Sequence, residues 1–255
     1  MNKEFPLYLH YKRQLLQSPV FEGLPDELLS NMLEQFHHTT WRKGVVADES
    51  LSLKNFYLII DGRIKIEHVD AESGKRAILF LLGSGDGFDV ISLLDDQRHD
   101  ATPIALDDLS LLVAPMQTVR EWINCHPEFN RNFLPYLGER MRRMENLATD
   151  LSMKDTVTRL ARLILHYTAP ETSSGSDDYP VKLIHDLSHE SLADMIGSTR
   201  QVVNKHLQVL RKEGILNGHA NHLAVAELEM LKEKAGHFFT EAIKSKPGNK
   251  ATGNK

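Results

Sequence analysis

A single cysteine, Cys125, is the whole thiol inventory of this 255-residue chain. No disulfide can close within one copy, and no four-cysteine iron–sulfur cluster can be held. Such scarcity fits a reducing cytoplasm. No run approaches the roughly 18 apolar residues that a membrane helix needs. The N-terminal MNKEFPLYLHYKR also lacks the apolar core of a signal peptide. A soluble cytoplasmic protein with no membrane partner is expected. Positive charge is not in excess either: 30 Lys and Arg stand against 35 Asp and Glu, a formal net charge of −5. That excludes a uniformly basic nucleic-acid coat, but not a local reading head, because affinity depends on where the cations lie. Internal repeats are missing. So are the constellations of an enzyme, since no carboxylate pair, nucleophile–base set or metal cluster occurs at motif spacing.

What is present concentrates between Ser188 and Leu216, SHESLADMIGSTRQVVNKHLQVLRKEGIL. Leu192, Ala193 and Ile196 make one face of a short helix, with Ser188 as its cap. Gly197 sits where a left-handed residue ends a helix. Ser198-Thr199 then offer hydroxyl caps for a second helix from Arg200. That helix turns Val203, Leu207 and Leu210 inward and Arg200, Gln201, Asn204, Lys205 and Gln208 outward. The outward set suits DNA: Arg and Lys bond the acceptors of guanine, and Asn and Gln pair with adenine. Ser198 to Lys212 contains four basic residues and no acid, so phosphate attraction is locally available. The competing reading is a buried helical hairpin with a solvated charged face. Helix, Ala-x-x-x-Gly turn and polar-faced helix in that order favour a helix-turn-helix.

The length suits about two domains. Residues 1–20 read as an irregular or helical arm, and Phe21 to Phe36 as an amphipathic helix begun by Pro25-Asp26. From Thr39 to Pro115, β-rich runs alternate with turns. Phe56–Ile60, Ile64–Val69, Ala77–Leu82, Thr102–Ala105 and Leu109–Val113 are expected strands that close into a roll. Thr118–Asn124 is a short helix, and a long one follows from about Glu128 to Leu151, with Pro135 as a local irregularity. Leu134, Leu137, Met141, Met144, Ala148 and Leu151 recur three and four apart, the seam of a self-pairing helix. A helix lying on its own domain is the simpler reading, but the stripe is narrow for that. Asp155 caps a helix over Thr156–Tyr167, with Val157, Leu160, Leu163 and Ile164 on its buried side. Residues 169–180 read as a flexible loop. Ile215-Leu216, a turn at Gly218 to Asn221 and Leu223–Val225 make a small wing. A last helix, Glu227–Lys234, precedes a Lys- and Gly-rich tail expected to be disordered.

In this order the elements resemble the Crp/Fnr family of bacterial transcription regulators across roughly residues 20–230. The family's recognition helix begins S/T-R-E/Q-x-V-x-R/K-x-L. Here the matching run is Thr199-Arg200-Gln201-Val202-Val203-Asn204-Lys205-His206-Leu207. The resemblance implies that Arg200, Gln201 and Lys205 read bases, Thr199 meets phosphate and Asp155 is the hinge. Gln201 replaces the usual Glu, which shifts preference from cytosine towards adenine. Asp61-Gly62 and Gly85-Asp86-Gly87-Phe88 match the family's roll turns.

The implied fold is α+β. A cyclic-nucleotide-binding-type β-roll (1–126) is followed by a dimerisation helix (127–153), a winged helix-turn-helix (154–235), and a helix end with the tail (236–255). A homodimer on a pseudo-palindromic DNA operator is implied, with RNA polymerase a further candidate partner. Where cyclic-nucleotide binders carry Gly-Glu-Leu and then Arg-Ser/Thr-Ala, this chain has Asp89-Val90-Ile91 and His99-Asp100-Ala101. Val90 cannot accept a ribose hydroxyl, and Asp100 puts negative charge beside an anion. His99 would need protonation to replace the Arg. The polar pair that meets the purine is Met144 and Glu145. The candidate effector pocket is therefore Gly85, Asp86, Val90, His99, Asp100 and Met144, with cAMP not expected in it.

Gly85 to Gly87 is a strand turn rather than a P-loop, since no P-loop Lys follows. His37-His38 and the pair His219 and His222 lack a second ligand type, so no metal site is expected; haem stays open without support. Met141 and Met144 read as seam packing rather than redox sensors, and Cys125 as a buried structural thiol. A rival function is a ligand-sensing regulatory subunit acting on a protein partner. The Arg200, Gln201 and Lys205 face argues against it.

Overall fold

Strands that alternate their side chains between two apolar environments build the first half of the chain. A computed structural model describes residues 6–47, 53–98, 100–169, 178–218 and 222–236. It separates into two units, residues 1–148 and 149–255. The first unit opens with α1 (Tyr8–Gln17) and α2 (Asp26–Glu34). Seven strands follow: β1 (His37–Trp41), β2 (Asn55–Asp61), β3 (Ile64–Val69), β4 (Arg76–Leu82), β5 (Gly87–Phe88), β6 (Thr102–Ala105) and β7 (Leu109–Pro115). The short α3 (Val90–Asp95) interrupts them, and α4 (Met116–Cys125) and the long α5 (Pro127–Met153) close the series.

The strands form two antiparallel sheets, in the orders β1-β7-β2-β5 and β4-β3-β6. Because side chains alternate along a strand, β2 sends Phe56, Leu58 and Ile60 into a core shared with the helices. Its Tyr57 and Ile59 enter a second core with Ile64, Leu82, Phe88 and Leu111. β7 divides in the same way, Leu112 and Ala114 against Leu111 and Val113. Gly62, at φ +91°, makes the β2–β3 turn; a Cβ there would lie 2.7 Å from Leu109 Cδ2 and 2.8 Å from Asp108 O. Only glycine fits.

Two sequence expectations shift. β1 starts at His37, where no apolar alternation announces it; pairing with β7, from His37 opposite Val113 to Trp41 opposite Leu109, orders it. Gly87–Phe88, read as a turn, pairs with Leu58 and Tyr57 of β2. The long helix is one element through Pro135, which forgoes one backbone bond there.

The second unit comprises α6 (Thr156–Tyr167), β8 (Tyr179–Pro180), α7 (His189–Ile196), α8 (Arg200–Lys212), β9 (Leu216–Asn217), β10 (Ala224–Val225) and α9 (Leu228–Ala235). Asp155 caps α6 as expected, its Oδ1 accepting from the Thr158 amide at 2.8 Å. The buried stripe of α6 is Leu160, Ala161, Arg162, Ile164 and Leu165. Leu163 and Val157, expected inside, are half-buried, because the stripe advances by one and four residues and Leu163 falls beside it.

Residues 179–180 correct the loop expected there. Tyr179 and Pro180 pair with Val225 and Ala224 in a sheet of order β8-β10-β9. The wing strands β9 and β10 pair Ala224 with Asn217 and Val225 with Leu216. Most of the wing turn, the remainder of the 169–180 segment from 170 to 177, and the tail lie outside the described residues. Among the described residues no helix is long and apolar enough to cross a membrane.

Candidate nucleic-acid interface

In the second unit, α7 and α8 are joined by a turn that their sequence dictates. Ser188 Oγ accepts from the Ser191 amide at 3.0 Å and starts α7. Gly197, at φ +60°, ends it, with the Ser198 amide returning to Ala193 O at 3.0 Å. A Cβ on Gly197 would meet Leu151 Cδ2 at 2.7 Å, so backbone conformation and packing both require glycine. Thr199 then caps α8, its hydroxyl accepting from the Val202 amide at 3.4 Å.

Val203, Leu207 and Leu210 are fully buried, and Leu192, Ala193 and Ile196 of α7 are buried as well. One face of α8 being fixed in this way, the other must face outward. Thr199, Arg200, Gln201, Lys205 and Gln208 are exposed and Asn204 is half-buried. Arg200 and Lys205 enter no ion pair among the described residues, so their charge is available to an outside anion. His189, at the start of α7, is half-buried. Burial lowers its pKa first, and the charges of Arg211 and Arg200 lower it further. Sequence reasoning passed over His189; its place one residue past the Ser188 cap was the available signal.

Beneath the interface, Arg162 is buried on α6. Its Nε donates to Ala235 O at 2.7 Å and its Nη1 pairs with Asp150. His206 Nε2 lies 3.0 Å from Thr156 Oγ1, tying α8 to the start of α6 beside Asp155. Hydrogen bonds from Thr158 hold the Asp155 carboxyl below the usual carboxylate range.

The first unit holds a cavity of about 220 Å³ between the roll and α5. Val90 and Met144, expected there, line it together with Phe80, Phe88, Ala101, Leu137, Met141 and Arg140. Gly85 and Asp86 do not. Gly85 O accepts from Ser18 Oγ at 2.7 Å, beside the end of α1. The Asp86 carboxylate accepts from the Gly83 amide at 3.0 Å and pairs with Arg140. Asp100 is exposed and outside the lining, and His99 lies outside the described residues.

Arg140, on α5, is the polar centre of this region. Its Nη2 donates to Tyr136 Oη at 2.8 Å, and its guanidinium lies 4.8 Å from the Tyr136 ring and 5.7 Å from that of Phe80. Tyr136 Oη in turn meets the Gly87 amide and carbonyl, each at 3.1 Å. Burial pushes the Tyr136 pKa up to about 12. Burial also works against the charge of Arg140, but Tyr136 and Asp86 outweigh it and raise its pKa.

Of the seam residues, Leu134, Met141 and Leu151 are largely exposed and Ala148 is exposed, whereas Leu137 and Met144 are half-buried against the roll. His37 is exposed, and His38 hydrogen-bonds Ser110 Oγ at 3.0 Å. His222 stacks on His185 with centroids 6.1 Å apart, and His219 is outside the described residues. Among the described residues no three His, Cys, Asp or Glu side chains gather to hold a metal ion. Cys125 is exposed.

Two family models match the chain: the cyclic nucleotide-binding domain over residues 44–126 and the Crp-like helix-turn-helix domain over residues 158–234. A CRP-like cAMP-activated global transcriptional regulator of Mycobacterium tuberculosis is 24% identical over 222 residues, 87% of this chain and 98% of that protein. A global nitrogen regulator of Synechocystis is 28% identical over 200 residues, 78% of this chain and 86% of the relative. A CooA variant from Carboxydothermus hydrogenoformans shares the fold with a TM-score of 0.67 at 22% identity, covering 87% of this chain and 94% of that one. With a nucleotide-binding-type roll, the long helix and a capped helix-turn-helix in the same order, the chain belongs to the Crp/Fnr family of DNA-binding transcription regulators.

Proposed function

We propose that the protein acts as a homodimer, reads a pseudo-palindromic operator in double-stranded DNA, and does not respond to cAMP. The observation that carries this reading is the outer face of α8, with Arg200, Gln201 and Lys205 exposed above a fully buried Val203, Leu207 and Leu210. Arg200 and Lys205 suit the acceptors of guanine, and Gln201 and Asn204 suit adenine. Thr199, at the helix N-terminus, is positioned for phosphate. Two such helices from a symmetric dimer meet successive major grooves about 34 Å apart. The exposed stripe of Leu134, Met141, Ala148 and Leu151 supports self-pairing.

The domain plan proposed is the roll (1–126), the pairing helix (127–153) and the reading head (154–235), with Asp155 as the hinge. The M. tuberculosis relative is cAMP-activated by its description. This chain is proposed to differ because its cavity wall has Val90 in place of a hydroxyl acceptor, and the buried Asp89 where an anion would suffer repulsion. The protein works as a regulator in the cytoplasm without catalysis of its own, and RNA polymerase is its further partner.

The test is capture of genomic DNA fragments by the purified protein at near-physiological salt, with no ligand added. A palindromic motif among the captured fragments supports the reading. Binding without sequence preference, with a salt slope and nothing more, would count against effector-free operator recognition.

A further inference from the structure

At the edge of the wing, two histidines from separate segments lie against one another. We propose that His185 and His222 bind a late first-row divalent metal ion, with zinc as its representative and water completing its shell. The site belongs wholly to the second unit. It goes beyond the regulator reading and does not rest on it.

The backbone brings the two rings together. His185 precedes α7 and His222 precedes β10, and the Leu223 amide donates to His185 O at 3.1 Å. The rings stack with centroids 6.1 Å apart and planes inclined by 26°, and both residues line a pocket of about 320 Å³. Zinc takes an imidazole nitrogen at about 2.0–2.1 Å. Each ring centroid then lies about 3.2 Å from the ion, so two rings on one ion stand roughly 5.2 Å apart at the tetrahedral angle and about 6.4 Å apart when opposed. The observed separation falls within that span. His222 is exposed, so its ring can rotate to aim a nitrogen between the two at little cost.

The surrounding charge selects a cation. Asp178 lines the same pocket, its Oδ1 accepting from Asn217 Nδ2 at 3.0 Å, and Asp186 Oδ1 stands 3.9 Å from His185 Nε2. Two carboxylates beside the rings oppose a phosphate, and a carboxylate beside a ligating imidazole strengthens it as a ligand. Imidazole in turn selects zinc, copper and nickel over magnesium and calcium, which take oxygen. No third His, Cys, Asp or Glu joins as a ligand among the described residues, so water fills the remaining positions. The metal site not expected from the sequence is built by the fold, which brings His185 from the segment before α7 to His222. An ion held by both ties that segment to the wing.

Zinc is titrated into the untagged full chain without DNA and followed calorimetrically, with copper(II) and magnesium as comparisons. Copper(II) should bind more tightly than zinc, and magnesium should not bind. His185→Gln and His222→Gln should each weaken zinc binding about tenfold or more, since two imidazoles become one. His37→Gln, at an exposed histidine of β1, should change nothing. Zinc should also slow hydrogen exchange of the Leu223 amide in the wild type but not in His222→Gln. No saturable zinc binding, binding that survives both substitutions together, an equal response to magnesium, an equal loss in His37→Gln, or a Leu223 exchange rate that zinc leaves unchanged would each overturn the proposal. Because the readout omits DNA, failure here leaves operator recognition standing, and failure of operator recognition leaves metal binding standing.

Discussion

Arg140 in the first unit and Arg200 in the second hold their charge in different ways. In the first unit several cations close on acids of their own unit: Arg63 on Asp107 through bonds of 2.6 and 2.8 Å, Lys65 on Glu67, Arg140 on Asp86. In the second, Arg162 is closed on Asp150, but Arg200 and Lys205 stand exposed without an ion pair among the described residues. A net charge of −5 conceals this division. A paired, buried cation builds scaffold, whereas an unpaired one at a helix start awaits an anion from outside.

The most drastic way to break the contrast is at the exposed stripe of α5, where Leu134 is 61% and Met141 is 68% exposed. Leu134→Glu combined with Met141→Glu should convert the protein to monomers by light scattering with the fold retained. An unchanged mass would remove the seam. These positions are sharper than Leu137 and Met144, which also line the cavity.

Next is Arg162, the one buried cation of the reading head among the described residues. Arg162→Met leaves Asp150 unpaired and the Ala235 carbonyl without its donor. Removing one partner of a buried pair costs about 3 kcal/mol, to be read from denaturant unfolding of the second unit. A loss under about 0.5 kcal/mol, the surface norm, would mean that the pair is effectively solvated.

Arg200→Ala should behave oppositely, with stability unchanged and about 1–3 kcal/mol lost on the specific operator. Random DNA should lose little. Equal losses on both would show Arg200 to be a phosphate contact rather than a base reader.

The smallest effect lies at the cap of α6. Asp155→Ala should cost about 1 kcal/mol at neutral pH. Its carboxyl is held below its ordinary value of 3.8, chiefly by the Thr158 amide. The stabilisation is thus present above 3.8 and fades as pH falls through the lower, folded value. Wild type and variant should converge in acid; a gap that persists there would assign the loss to helix propensity instead.

The reading head was legible because its signals are local. Ser188, Gly197, Thr199 and Asp155 act within a few residues of themselves, so caps, turn and helix limits follow from spacing. The identity of the bases that Arg200 and Gln201 would meet follows from donor geometry alone. Strands β3 and β6 were legible to the residue for a similar reason, since a period of two declares itself within six positions. His37–Trp41, Gly87–Phe88 and Tyr179–Pro180 were not, since each is a strand only by virtue of a distant partner: β7, β2 and β10.

The sequence by itself determined the order of elements, the polar face of α8, and the runs Asp89-Val90-Ile91 and His99-Asp100-Ala101 where the resemblance leads one to expect a phosphate cradle. Tertiary structure alone decided what occupies the space beside those runs. Leu137 and Met144 turn from the seam to the cavity, Asp86 goes to Arg140, and Arg140 keeps one buried nitrogen open. Side chains from β4, α3 and α5 meet there across more than fifty positions of chain, and no spacing rule reaches that far. Burial converts a surface arginine of the helical pattern into an anchor, because only a desolvated donor suffers for lack of an acceptor.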